Sequence, residues 1–348
     1  MEGHQFKKFK HWGIVVDLPP EEVPDNNWTG GENFHFVNTA SERVGGYSNF
    51  ADGCLFNPIF AINVTVEAVS YWVYCGTQNV AVTDGTAHWD ITPAAGLSPV
   101  QPGNWVGTVL NGIPVLTNGL DAPFYWPVIP TSICETLPGW PVNTTCTCIR
   151  AFKYHLFAIN VTSEGIQYGD SLWWSEGVEA GAIPQEWIPT PENDAGDMVL
   201  ADSPGDIIDA MPMRDILIVY KGSSTYSVSY VAGQYVYTQR KNFLTTGIQS
   251  TNCVAEINGN HWVYTGTDVI VHDGQSYSSV VQYKAKNYLG EAVNPEAYKL
   301  AQVVQRNNLN QVWICLPQEG ETRQTLAVII NTDTQEVGFR NLPDSAFI

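Results

Sequence analysis

The chain is 348 residues long and carries 16 Lys and Arg against 35 Asp and Glu, a formal net charge of −19. A negative field of that size opposes gripping nucleic acid, because phosphate binding needs Lys or Arg to displace condensed counterions. Charged residues make up only 15% of the sequence while hydrophobic residues reach 44% and aromatics 12%, which excludes an acidic disordered tail and leaves a folded chain with a sizeable core.

The one basic concentration stands at the start: Lys7, Lys8 and Lys10, interleaved with Phe6 and Phe9 and followed by Trp12. It reads as a solvated tail or as an arm that docks on an acidic partner. The apolar run 12–16 is cut off by Asp17 and Pro19, too short for the apolar region of a secretory signal, and no stretch has the length of a membrane span. Residues 1–53, with Pro19-Pro20, Pro24 and Gly30-Gly31, are expected to form an irregular arm and lead-in whose segment 33–36 closes against the last repeat unit.

From 54 to 348 strand-type segments dominate. Segments 61–74, 79–83, 216–220, 226–231, 262–271, 312–316 and 326–331 are short, rich in Val, Ile, Tyr and Trp, and punctuated by Gly, Asn, Asp and Pro. Segment 294–305 differs: Asn294 as N-cap, Pro295 at the first helical position and Glu296 in the first turn predict a short helix, in competition with a strand through 300–304. Segment 123–148, rich in Pro, Thr and Cys, breaks the rhythm and is expected to project between repeat units.

An internal repeat organises these segments. Trp72-Val73-Tyr74-Cys75-Gly76-Thr77 with Asp84-Gly85 downstream returns as Trp262-Val263-Tyr264-Thr265-Gly266-Thr267 with Asp273-Gly274. Each copy reads as three strands of a meander with Asp-Gly at a hairpin turn. The copies lie 190 residues apart, room for four units of about 45 residues, the period of propeller blades. Degenerate copies around Trp105, 154–161, 216–231 and 312–331 fill the series. The expected fold class is therefore all-β, a β-propeller of about six blades; a β-sandwich or a pair of β domains is the alternative. Trp72, Trp262 and Trp313 are expected to pack between blades.

Chemistry is thinly marked. The seven His are dispersed, and no His-Glu-x-x-His or paired Cys-x-x-Cys supplies metal-ligand spacing; Cys146 and Cys148 with Cys134 lack a second ligand pair. No Gly-x-Ser-x-Gly elbow is present, and Lys221-Gly222-Ser223 inverts a phosphate loop. No cofactor or metal is expected, and the odd set of seven cysteines reads as thiols made in a reducing cytosol. Asp84 and Asp273 are explained by hairpin geometry, since the Ser-x-Asp-x-Gly-x-Thr-Trp pattern of sialidase propellers is not met. Trp28, Trp126, Trp140 and Trp187, in loop-like contexts, keep a carbohydrate-binding or glycoside-hydrolysing propeller as the rival reading.

One stretch points further. Gly13-Ile14-Val15-Val16-Asp17-Leu18-Pro19-Pro20-Glu21-Glu22-Val23-Pro24, then 28–36, then Ser41-Glu42-Arg43-Val44-Gly45-Gly46-Tyr47, resembles the opening of tail nozzle proteins of short-tailed bacteriophages of the podovirus type, also called tail tubular or packaged-DNA stabilisation proteins. Later segments at Trp105, 118–126, Trp174-Ser175, Trp187, 207–220 and 307–313 keep that family's order, so the resemblance runs from about 12 to 343. The chain departs from it in having His35 where such proteins often carry Arg, and in a compact 348 residues that speak against a large distal tip domain. The resemblance implies a β-propeller virion protein without enzymatic activity, assembled in the host bacterial cytoplasm as a ring of six copies beneath the portal adaptor. It would retain packaged DNA, pass it without specific binding during ejection, and anchor tail fibres or a tip. On that reading Lys7, Lys8, Lys10 and Trp12 form the adaptor-docking arm. Trp126, Cys134, Trp140, Cys146 and Cys148 in the projecting segment make subunit or fibre contacts.

Overall fold

The structure, a computed structural model, describes residues 12–37, 40–46, 53–231, 236–243 and 245–343. A two-stranded hairpin, β1 (Phe34–Val37) and β2 (Ala40–Arg43), comes first. Six antiparallel four-stranded sheets follow, and in every one the strands lie in chain order, as in propeller blades. Blade one is β3 (Phe60–Val66), β4 (Val69–Cys75), β5 (Val80–Thr83) and β6 (His88–Asp90); blade two is β7 (Val106–Leu110), β8 (Ile113–Thr117), β9 (Phe124–Tyr125) and β10 (Glu135–Thr136). Blade three is β11 (Thr144–Phe152), β12 (His155–Ser163), β13 (Ile166–Trp174) and β14 (Gly196–Val199); blade four is β15 (Ile207–Met213), β16 (Ile216–Lys221), β17 (Thr225–Tyr230) and β18 (Tyr237–Phe243). Blade five is β19 (Val254–Ile257), β20 (Asn260–Tyr264), β21 (Val269–His272) and β22 (Tyr277–Ser279); blade six is β23 (Gln302–Arg306), β24 (Gln311–Leu316), β25 (Leu326–Asn331) and β26 (Val337–Asn341). The fold class is all-β, a six-bladed β-propeller arrangement.

Two compact units divide the chain. Blades one to four fall in Ser48–Asn252, and blades five and six join the N-terminal segment in the other. In the first unit the cores sit between successive blades: Val73, Val82, Trp105 and Phe124 pack together for blades one and two, Phe157, Leu172, Leu217 and Val228 for blades three and four. The middle strands are largely apolar because both their faces are covered; all four residues of β5 and all six of β24 and β25 are buried, with Thr83, Gln311 and Asn331 as polar ends. Burial of such side chains stabilises by about 1.5–3 kcal/mol each before chain entropy is counted.

The repeat read from the sequence falls where its period requires. Trp72 lies on β4 and Trp262 on β20, the second strands of blades one and five. The Asp-Gly pairs turn the third strand into the fourth through the Asp side chain. Asp84 Oδ1 accepts from the N–H groups of Thr86 (2.8 Å) and Ala87 (2.9 Å), and Asp273 Oδ1 from those of Gln275 (2.9 Å) and Ser276 (2.8 Å). These bonds hold the Asp84 carboxyl down at about 2.

Helical structure is local. The 3-10 segment Pro295–Leu300 starts as the sequence predicts, with the Asn294 side chain accepting from Glu296 N, and the competing strand also forms as β23. The helix α1 (Lys286–Ala292) is not legible in the sequence, because Ala285 gives it no side-chain cap. Its first N–H groups are instead met by Asp17, whose two carboxylate oxygens accept from Asn287 and Tyr288 at 2.9 and 3.0 Å.

The projecting segment expected at 123–148 is corrected. Its residues supply β9 and β10, the outer half of blade two, and the start of β11, the first strand of blade three. Trp126, Cys134, Trp140, Cys146 and Cys148 are all buried. Trp126 Nε1 donates to Ile129 O (3.1 Å) and Trp140 Nε1 to Thr144 O (2.8 Å) at the start of β11, so each indole is interior with its N–H satisfied by nearby backbone.

Candidate docking surface

The N-terminal lead-in is built onto blade six. Ile14 N donates to Val337 O (2.8 Å), Ile14 bridges Trp28 in parallel, and Asn33 N donates to Phe339 O (2.8 Å). The hairpin adds a bond between Gln311 Nε2 and His35 Nδ1 (2.9 Å), and Asn331 Nδ2 donates to Phe36 O (3.3 Å). Segment 33–36 thus lies against the last blade. His35, which stands where the resembling proteins often carry Arg, is buried in that contact.

Two glycines permit the approach. A Cβ on Gly13, whose φ is +95°, would come within 2.8 Å of Val337 N, and one on Gly338 within 2.9 Å of Phe34 O. Gly338→Val is therefore expected to lift the lead-in from β26 and to destabilise by about 1–3 kcal/mol. Hydrogen exchange should show lost amide protection at Ile14 and Asn33 but unchanged protection in blades one to four.

The lead-in leaves an open groove of about 490 Å³, walled by Trp12, Val15, Leu18, Pro24 and Tyr283. Trp12 is 56% and Tyr283 71% exposed, a pair of large aromatic faces at one mouth. Tyr283 takes φ +61°, a left-handed conformation that an aromatic residue adopts only under constraint. The constraint is visible: Lys284 N closes a turn to Val281 O (3.0 Å), and Lys284 O accepts from Val16 N (2.7 Å). Burial lowers the Lys284 ammonium below its usual value, with Glu336 opposing, and its Nζ donates to Gln335 O (2.7 Å).

The residues singled out from the sequence are distributed unevenly. Trp12 lines the groove, while Lys7, Lys8 and Lys10 lie outside the described residues. Trp262 and Trp313 are buried, and β20 packs against β23 of the next blade. Trp313 carries Arg306 and Arg340 of its own blade over its ring, at 4.8 and 5.1 Å. Trp72 is 37% exposed, on the half of β4 that is less buried than Val73–Cys75. In the segment 120–142 the accessible apolar side chains are Leu120, Ile129, Ile133 and Val142 rather than the buried Trp and Cys residues. Of the four Trp that favoured sugar stacking, only Trp28 is exposed.

Sequence reasoning missed the most connected polar group. On β11, Arg150 donates from Nε to Asp209 Oδ1 (2.7 Å) and from Nη2 to Asp209 Oδ2 (2.8 Å) on β15, and from Nη1 to Gly107 O (2.8 Å) on β7. Asn252 closes the set, accepting from Arg150 Nη2 (3.0 Å) and donating its N–H to Asp209 Oδ2 (2.8 Å). First strands of three successive blades are thereby tied in one buried bidentate network. Burial raises the Asp209 carboxyl, but Arg150 beside it outweighs burial and holds it below the usual carboxylate range. The available signal was one Arg and one Asp set singly in otherwise apolar strand runs.

Other ionisable groups are interior. Burial drives the Cys146 thiol up to about 12 and Cys75 and Cys148 well above the usual thiol range, which makes them unreactive filling for the core. Among the described residues, no three His, Cys, Asp or Glu side chains group as metal ligands. No described helix is long and apolar enough to cross a membrane.

No family model and no curated protein matches the chain. Among solved structures it is similar to a fungal alcohol oxidase of the AA5 family in complex with copper, with 8% identity, a TM-score of 0.51, and 82% of this chain and 65% of the oxidase covered. It is also similar to the extracellular domain of a two-component system protein of B. thetaiotaomicron, with 11% identity, a TM-score of 0.46, and 85% and 35% covered. A third is YCF48 bound to D1 peptide, with 9% identity, a TM-score of 0.44, and 82% and 81% covered. The chain thus spans under two thirds of the oxidase and about a third of the second protein. At such identities the likeness is one of fold alone.

Proposed function

We propose that the chain is a structural virion protein without enzymatic activity, the subunit of a phage tail nozzle ring of about six copies. The ring would sit beneath the portal adaptor, retain packaged DNA, guide it at ejection and anchor neighbouring tail parts. One observation carries the reading: the segment that bears the resemblance, residues 13–36, is integrated into blade six and frames an open groove with exposed aromatic walls. A surface of that kind suits an assembly subunit, which must present apolar anchors to its neighbours. The net charge of −19 supports the conduit role, since an acidic wall repels a duplex and lets it slide. Adaptor contact is assigned to the arm ending at Trp12, and fibre or tip contact to the exposed Leu120, Ile129, Ile133 and Val142.

Cryo-electron microscopy of particles from cells making this chain with its neighbouring gene products tests the reading. Density for a ring of propellers below portal and adaptor is the expected result. Absence from particles, together with binding to a glycan array, would overturn it in favour of the carbohydrate-binding propeller.

A further inference from the structure

The groove of the lead-in has a distinctive chemistry. Its aromatic and aliphatic walls also include Lys284 and the buried Glu336, one positive and one negative group, and the turn that brings Leu18 and Pro24 into the wall carries Glu21, Glu22 and Asp25, all exposed. An apolar slot with an acidic rim takes a segment that alternates aromatic and basic side chains. This chain carries such a segment near its start, Phe6-Lys7-Lys8-Phe9-Lys10, which holds three of its 16 basic residues.

We propose that the basic, aromatic segment 5–10 of one copy docks in the groove of a second copy of this chain. Three features select that occupant. Phe6 stands six residues before Trp12, itself a wall of the groove. Six residues reach at most about 21 Å, so the arm of one copy can enter the groove of another only where the two meet close to their Trp12 walls. Charge complements charge: three lysines meet the acidic rim of a molecule whose net charge is −19. Two such molecules otherwise repel, and an arm that carries positive charge onto the neighbour's rim offsets that repulsion at the place of contact. Phe6 and Phe9 supply the apolar anchors that Trp12, Leu18 and Tyr283 can enclose. The contact takes segment 5–10 from the adaptor role proposed above and gives it to a neighbouring copy; it rests on the groove and the charge pattern, and its test reads the purified chain alone, so its failure leaves the ring reading standing.

Sedimentation velocity on the purified chain, at tens of micromolar and low salt, tests it with two variants: deletion of 5–10, and Leu18→Lys in the groove wall. Wild type is expected to self-associate, more weakly as salt rises. Each variant alone should associate at least tenfold more weakly, and an equimolar mixture should regain association, because the arm of the Leu18→Lys chain meets the intact groove of the deleted chain. Tyr283→Ala, at an exposed side chain, gives a third weakened variant without disturbing the core. Association unaffected by any of the three changes would overturn the proposal. So would a monomeric wild type whose deleted form binds a labelled peptide of residues 5–10, since the arm would then occupy its own groove.

Discussion

Arg150→Met is expected to destabilise the unit formed by blades one to four by about 3–5 kcal/mol, read as a fall in the urea midpoint at pH 7. The change strands the Asp209 carboxylate, 1% exposed, with the N–H groups of Ala210 and Asn252 and the Cys148 thiol as its remaining partners. Gly107 O loses its Arg150 donor as well. The double variant Arg150→Met with Asp209→Leu should recover most of the loss, because both charges then leave the interior together. The pH dependence supplies a second readout. Arg150 holds the Asp209 carboxyl low; without it, burial raises the folded pKa above the unfolded one, and the folded variant takes up a proton on acidification. The deficit relative to wild type should therefore shrink as pH falls from 7 towards 5. A deficit below 1 kcal/mol, or one that grows on acidification, would show that the pair does not join the blades.

Acidification is expected to weaken blades five and six through His272. Its ring is buried, stacked edge-on to His261 at 5.3 Å, and burial, reinforced by His261, pushes it down to about 3 from the ordinary 6.5. The unfolded chain binds the proton near 6.5 while the folded one refuses it until about 3. The stabilisation is therefore complete above pH 6.5 and is lost progressively as pH falls towards 3. From pH 6.5 to 4.5 the loss is about 2 kcal/mol, and by pH 3 it is on the order of 5 kcal/mol. His272→Asn offers an oxygen where His272 Nδ1 accepts from Gly274 N (3.2 Å), but it cannot take the proton. Its urea midpoint should change less than that of wild type between pH 6.5 and 4.5, by the equivalent of about 2 kcal/mol. Parallel curves for the two proteins would refute the assignment.

The polar interior explains where reading the residues stopped short. Arg150 and Asp209 stand 59 positions apart, and no local pattern joins them. Asp17 serves a helix that begins 269 positions later, which is why α1, without a cap of its own, escaped notice while the 3-10 turn at Asn294 did not. The groove escaped for the same reason: its walls come from residues 12–24 and from Tyr283, brought together when the lead-in pairs with blade six. Trp12 was legible as an anchor by its place after the lysines; Tyr283 was not.

By itself the sequence determined the all-β class, the meander and the blade period. Those properties are local: apolar runs of strand length, Gly at positive φ, and Asp or Asn side chains that bond the next backbone N–H groups make each turn where they stand. The copies around Trp72 and Trp262 kept enough of that local chemistry to count four blade periods from one to the other. Only the tertiary structure decided which aromatic and sulfur side chains are interior. Burial is a property of what covers a strand, so the same Trp position is enclosed in β20 and half open in β4, and a Pro- and Cys-rich stretch became the edge of one blade and the first strand of the next. The exposed face passed from the Trp and Cys residues of 123–148 to aliphatic side chains beside them and to the groove of the lead-in, because the large rings were the ones the blades could bury at greatest gain.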